Sequence, residues 1–134
     1  MSAFSYIASR EISAGHTLGA QYDIDVVLQS VSDSDRPVAR EHVAMSGMRE
    51  TWLSRIEKTH KVKTIPLRES DPVVSHIREM LASTAAGEAV IVDLWGSVAS
   101  PDSPVSMAIQ PVGRSITRIP HLRFIQFSFT LRVL

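Results

Sequence analysis

The sequence predicts a mainly β fold of α+β composition. Its two antiparallel sheets are packed as a sandwich or a partly open barrel, with one amphipathic helix against them. Three observations predict it. Period-two alternation of apolar and polar residues dominates, most clearly in Arg123 to Leu134, RFIQFSFTLRVL. Only the stretch from Val73 to Leu81 has helical spacing instead. With 134 residues, 44% of them hydrophobic and 21% charged, the chain suits a single domain over residues 1–134. Such a domain buries roughly two-thirds of its unfolded surface without disulfides or a metal.

The elements follow in chain order. Ser9 to Ala20, with Gly15 and Gly19 and no sustained period, is a loop. Tyr22 to Val31 is a half-buried strand. Tyr22, Ile24, Val26 and Leu28 share one face, and Asp23, Asp25, Val27 and Gln29 share the other. Ser32 to Pro37, SDSDRP, reads as an acidic turn. Val43 to Ser46 is a short strand before a turn at Gly47. Thr51 to Ile56 and Thr59 to Leu67 are neighbouring strands, the second demoted to an edge or bulge by Pro66.

The helix places Val73, Val74, Ile77, Met80 and Leu81 on one face and leaves Ser75, His76, Arg78, Glu79 and Ser83 to solvent or a partner. Asp71 can cap it, Pro72 suits its first turn and Gly87 can stop it. Glu88 to Leu94 is a β-branched strand, Gly96 to Pro104 a Pro- and Ser-rich loop, and Val105 to Gln110 and Ser115 to Ile119 are weaker strands. In the last strand Ile125, Phe127, Phe129, Leu131 and Val133 oppose Gln126, Ser128, Thr130 and Arg132. A strand that commits five apolar residues to one face belongs at the centre of a sheet.

Composition excludes several kinds of chemistry. Fourteen basic residues balance fourteen acidic ones, so a strongly basic nucleic-acid binder is not the default, and little repulsion keeps copies apart. There is no cysteine, which removes disulfides, thiolate metal sites and cysteine nucleophiles. No apolar run reaches the ~18 residues of a membrane span, and the N-terminus has neither a basic leader nor a signal-peptide core. These features read as a protein made in the cytoplasm and working there or in an assembly.

The histidines at 16, 42, 60, 76 and 121 have no local metal-ligand spacing. No cofactor is implied. Asp23 and Asp25 stand about 7 Å apart along a strand, which reads as a solvated acidic stripe before a glycosidase pair. Nucleophile-elbow, phosphate-loop and dinucleotide motifs are all missing from the sequence. Arg49, Arg55, Lys58, Lys61, Lys63 and Arg68 could form a phosphate patch. Interleaved Glu50, Glu57 and Glu69, and the lack of an aromatic platform, favour an exposed or intersubunit hairpin instead. Trp52 and Trp95 suit packing or an interface. The chain reads as a binding or structural module, not an enzyme.

The segment SGMRETWLSRIEKTHKVKTIPL, followed by a helix ending LASTAAGEAVIVDLWG, resembles the distal tail (tail-hub) proteins and the minor tail protein M type of long-tailed, lambda-like phages. The likeness covers the middle 50 or so residues and extends more loosely to the closing strand. It implies the tail-tube fold and a non-enzymatic virion protein. Such proteins form rings, usually hexameric, at the distal end of the tail, joining the tube to the tip or baseplate around a channel for DNA. The implied partners are copies of the chain itself and neighbouring tube and tip proteins, with DNA only in transit and no membrane. On that reading Asp23, Asp25, Gln126, Ser128 and Thr130 are candidates for the channel lining, and the hairpin bearing Met45, Met48, Arg49, Trp52 and Arg55 for the contact between subunits or rings. A tube or tube-terminator subunit is the near alternative. A monomeric β-barrel holding a small apolar ligand among Phe127, Phe129 and Leu131, or a small hydrolase using Asp23 and Asp25, are alternatives of other classes.

Overall fold

The structure, a computed structural model, describes the backbone of residues 1–43, 47 and 49–134, and the side chains of these except residues 38, 40–43 and 49–55. The strands are β1 (Ser2–Ile7), β2 (Gln21–Val26), β3 (Leu28–Val43), β4 (Arg49–Thr64), β5 (Leu67–Arg68), β6 (Ala89–Asp93), β7 (Val105–Ile109), β8 (Ser115–Ile119) and β9 (Phe124–Val133). The helix α1 (Pro72–Ser83) follows β5, and a 3-10 turn (Pro120–Leu122) precedes β9.

The fold is mainly β with one α-helix, as the alternation predicts. All strands join one antiparallel sheet in the order β2-β1-β6-β7-β9-β4-β3, with β5 and β8 also on β9. The sheet curls without closing into a barrel. β2 and β3 stand at opposite ends of this order, yet only Val27 separates them. The rings of Phe4 on β1 and Phe129 on β9 lie 6.0 Å apart, although three inter-strand steps on a flat sheet would separate their strands by roughly 14 Å. The two expected layers are therefore the two halves of one curled sheet.

β9 is central, as its sequence demands. β4 and then β5 line one edge; β7 and then β8 line the other. Ile125, Phe127, Phe129 and Leu131 are buried, with Val133 partly so. Each such side chain contributes about 1.5–3 kcal/mol. Pro66 falls in the break between β4 and β5, where no ladder bond is required of it.

The helix is built as predicted at its start. Asp71 accepts a hydrogen bond from Val73 N at 3.0 Å, and Pro72 takes the first helical position. Val74, Ile77 and Met80 are buried in the same core as Phe4 and Phe127. The helix ends earlier than expected, at Thr84, whose N–H returns to Met80 O at 3.1 Å. Gly87, at φ +86°, turns the chain after it. Glu79 and Ser83, expected on the solvent face, are each only 1% exposed, because the loop from Ser9 to Ala20 folds over that flank.

Three other expectations change. β1 is a strand that the sequence pattern does not predict, with Ser2, Phe4 and Tyr6 alternating inward along it. The expected strand from Tyr22 to Val31 bends at Val27 and crosses from β2 into β3. Ser32 to Pro37 is not a turn but part of the 16-residue β3. Its acids are satisfied by register. Asp33 faces His60, Asp35 faces Lys58 and Arg36 faces Glu57 on β4, and Pro37 is tolerated because β3 is an edge strand.

Thr51 to Ile56 and most of Thr59 to Leu67 are accordingly one strand, β4, whose hairpin partner is β3. Gly47, at φ +82°, supplies the expected turn conformation. Val43 closes β3, and the rest of the short strand predicted there lies outside the described residues. β9 pairs β4 only from Thr59 to Lys63. From the Asp35–Lys58 pair to the Val43–Arg49 pair, β3 and β4 run on as a two-stranded ribbon, about 30 Å long at strand rise.

Candidate assembly surfaces

Because Ile125, Phe127, Phe129 and Leu131 point into the core, Gln126, Ser128 and Thr130 point to the outer face of the sheet. Register places Ser128 between Ser115 of β8 and Lys63 of β4, and Thr130 opposite Lys61. Gln126 is committed to structure. Its amide donates to Thr64 O at 2.7 Å and to Gln29 Oε1 at 2.5 Å, pinning the point where the chain rounds from β2 into β3.

Asp23 and Asp25 also face outward, on β2. Asp23 is exposed, while Asp25 accepts from Val98 N at 2.9 Å and so anchors the loop after β6. The five candidate lining residues thus share the outer face without forming one stripe. Three stand on β9 and two on β2, with β1, β6 and β7 between them in the sheet.

The loop from Trp95 to Pro104 is organised by the buried Asp93. Its carboxylate accepts from Gly96 N at 2.8 Å, Asp102 N at 2.8 Å and Ser103 N at 3.4 Å. The N–H of Asp102 is the main cause of its lowered pKa; burial opposes the shift, and the Ser103 and Gly96 N–H groups add to it. Only glycine fits at residue 96, where a Cβ would sit 2.2 Å from the Asp93 carboxylate. The loop presents Trp95 at 74% exposure, in keeping with an interface role and not with core packing.

Met45 and Met48 of the expected subunit contact lie outside the described residues. Arg49, Trp52 and Arg55 lie on β4, where register sets them opposite Val43, Arg40 and Val38 in the protruding ribbon. A cavity of about 420 Å³ opens at the root of this ribbon, lined by Ile56, Glu57, Lys58, Arg132, Val133 and Leu134.

The strongest polar cluster was not anticipated by sequence reasoning. The Glu79 carboxylate accepts from Tyr6 Oη at 2.7 Å, from His16 Nδ1 at 2.8 Å and from Ser13 N at 2.5 Å. An ionised carboxylate only accepts, so His16 carries its proton on Nδ1. The imidazole is stacked between Tyr22, at 3.7 Å, and His76, at 4.6 Å between ring centroids. Burial acts to raise the pKa of Glu79, but the hydrogen bonds from His16, Ser13 and Tyr6 win and hold it at about 2. Burial is also the main cause of the raised pKa of the Tyr6 hydroxyl, with Glu79 beside it adding to the shift. With these donors on it, the carboxylate fastens the loop from Ser9 to Ala20 onto α1 and offers no free base. The only sequence signal was a lone Glu beside the apolar face of the helix, which periodicity assigns to solvent.

Arg114 does similar work at the other end of α1. Its guanidinium donates to the carbonyls of Leu81 and Thr84, the latter at 3.0 Å, a cation on the helix C-terminus. Burial is the main cause of its lowered pKa, with Glu88 opposing.

Phe127, Phe129 and Leu131 are 0–1% exposed and packed in the core, so they line no ligand cage of the kind the apolar-ligand alternative requires. Among the described residues no three metal-ligating side chains converge, and no helix is long and apolar enough to cross a membrane.

No protein-family model matches the chain, and no curated protein matches it significantly. Among solved structures, a chain of the tail of an empty GTA particle, obtained by helical refinement with C6 symmetry, aligns with a TM-score of 0.51 and 10% identity, covering 81% of this chain and 78% of that one. A chain of the anti-feeding prophage (AFP) baseplate, 6-fold symmetrised, aligns more loosely, with a TM-score of 0.43 and 10% identity over 99% of this chain and 87% of that one. The first of these likenesses extends to the fold: a curled antiparallel sheet with one helix.

Proposed function

We propose that the chain is a structural subunit of a phage-type tail, forming a ring at the distal end that joins the tail tube to the tip or baseplate and leaves a channel for DNA. The observation that carries this reading is the fold shared over 81% of the chain with a component of a C6-symmetric tail. A long two-stranded ribbon, marginal by itself in water, supports it, as do the middle-segment resemblance and a zero net charge that leaves copies free to approach. On this reading the protein is no enzyme and works within the virion. The ribbon makes the contact between subunits or rings, and the outer sheet face borders the channel.

Light scattering after size exclusion, over a concentration series, tests the reading. A discrete ring mass, with rings visible on imaging the same peak, is the expected result; a monomer at every concentration overturns self-assembly into a ring. The helical refinement of the similar tail favours a tube subunit as a second reading. In that case the rings stack into tubes as concentration rises.

A further inference from the structure

The outer face of β3, β4 and β9 is a surface of hydroxyl groups set with exposed cations. Ser30, Ser32 and Ser34 of β3, Thr59 of β4, and Ser128 and Thr130 of β9 all point outward, and no large apolar side chain interrupts them. Among them stand Lys61, Lys63 and Arg132, all exposed. Lys61 and Lys63 are about 7 Å apart along β4. Arg132 sits opposite Thr59, which puts it about 7–8 Å diagonally from Lys61.

None of these three cations pairs with a carboxylate among the described residues. By contrast, Arg10 bonds Glu88 at 2.9 Å and Arg118 bonds Glu69 at 3.3 Å. Glu57 is the one carboxylate on this face of the described part of β3, β4 and β9, and register places it opposite Arg36, a fourth cation. The acids of β3, Asp33 and Asp35, lie on the other face of the ribbon. A chain of zero net charge has thus set Lys61, Lys63 and Arg132 together on one polar, strand-built surface. Sequence alone hides this, because Lys61 and Lys63 alternate with other residues and meet Thr130 and Ser128 only through the β4–β9 register.

We infer that this face contacts the phosphate backbone of double-stranded DNA through Lys61, Lys63 and Arg132, weakly and without regard to base sequence. The inference deepens the channel reading and rests on it. Three cations per subunit release few counterions, so each contact is loose and salt-sensitive. The hydroxyl groups of Ser30, Ser32, Ser34, Ser128 and Thr130 can donate to phosphate oxygens without holding them, whereas that of Thr59 already donates to Ser34 O at 3.2 Å. A passing duplex would therefore be guided and not trapped.

The test is fluorescence anisotropy of a labelled DNA duplex of mixed sequence, titrated with the full-length protein from low to physiological salt. Binding strongest at low salt is expected. The variant Lys61→Ala/Lys63→Ala should reduce the slope of log K against log salt by about 1.8. Arg78→Ala, on α1 and away from this strand face, should match wild type. Light scattering of each variant without DNA runs in parallel. The inference is overturned if wild type shows no salt-dependent binding, or if the double variant binds as wild type does. It is equally overturned if the double variant loses self-association, since the lysines then belong to a contact between copies. Failure of the ring reading itself would show separately, as a monomeric wild type.

Discussion

β9 is paired along both edges and sends Ile125, Phe127, Phe129 and Leu131 into a core shared with α1. In the ribbon beginning at Asp35 and Lys58, each strand has one partner. Both regions are extended antiparallel chain. The body is held by burial; the ribbon is held by its ladder and by charges set opposite one another across it. An isolated two-stranded hairpin is marginal in water, so a ribbon of this length makes sense only if something else covers it. The difference separates what folds the subunit from what joins it to others.

The contrast can be broken most severely from the body side. Phe129→Ala removes a ring that is 1% exposed and packed edge-on to Phe4. It should lower stability by about 3–5 kcal/mol, read from the midpoint of denaturant unfolding. An effect below about 1 kcal/mol would mean that the curled sheet is not the cooperative core.

Next in size is Glu79. Glu79→Ala strands the Tyr6 hydroxyl, the Ser13 N–H and the His16 ring, and should cost about 3 kcal/mol. Its pKa, held at about 2 in the folded protein against 4.5 in the ordinary group, gives the sign of the pH dependence. The stabilisation is complete above the unfolded value, erodes as pH falls below it, and is lost once pH passes through the folded value. The wild type should therefore lose about 3 kcal/mol across that acid window through this group, and Glu79→Gln should lose correspondingly less over the same range.

The same contrast explains what the sequence made legible. Burial writes a period-two or helical signature, and β2, β6, β7, β9 and the inner face of α1 were readable from it. β1 escaped because its inward positions include Ser2, and a small polar residue in the core leaves no apolar mark. Glu79 escaped because a buried carboxylate is defined by donors from β1 and the loop, many residues away in the chain. β3 carries a turn signal in its sequence because Ser, Asp and Pro favour turns locally, whereas their strand conformation is fixed by the partner opposite them. Of the candidate surfaces, the outward direction of Ser128 and Thr130 was legible. The lysines beside them were not, because cross-strand register is a property of the fold.

The smallest effect tests the ribbon alone. Asp35 and Lys58 are exposed partners in register, and Asp35→Lys would set like charges opposite one another for about 0.2–1 kcal/mol. If the ribbon is held separately from the body, this loss should appear as faster hydrogen exchange at the amides near residues 35–37 and 56–58, with the global unfolding midpoint unchanged. Exchanging the charges, as Asp35→Lys/Lys58→Asp, should restore protection, because the pair and not either residue supplies the contact. Assembly sharpens the point further. In a ring the same amides should become protected in both wild type and the single variant, since a neighbour then covers what the charge pair alone holds weakly. If Asp35→Lys instead lowers the global midpoint, ribbon and body unfold as one unit, and the ribbon is stabilised within the subunit before any neighbour arrives.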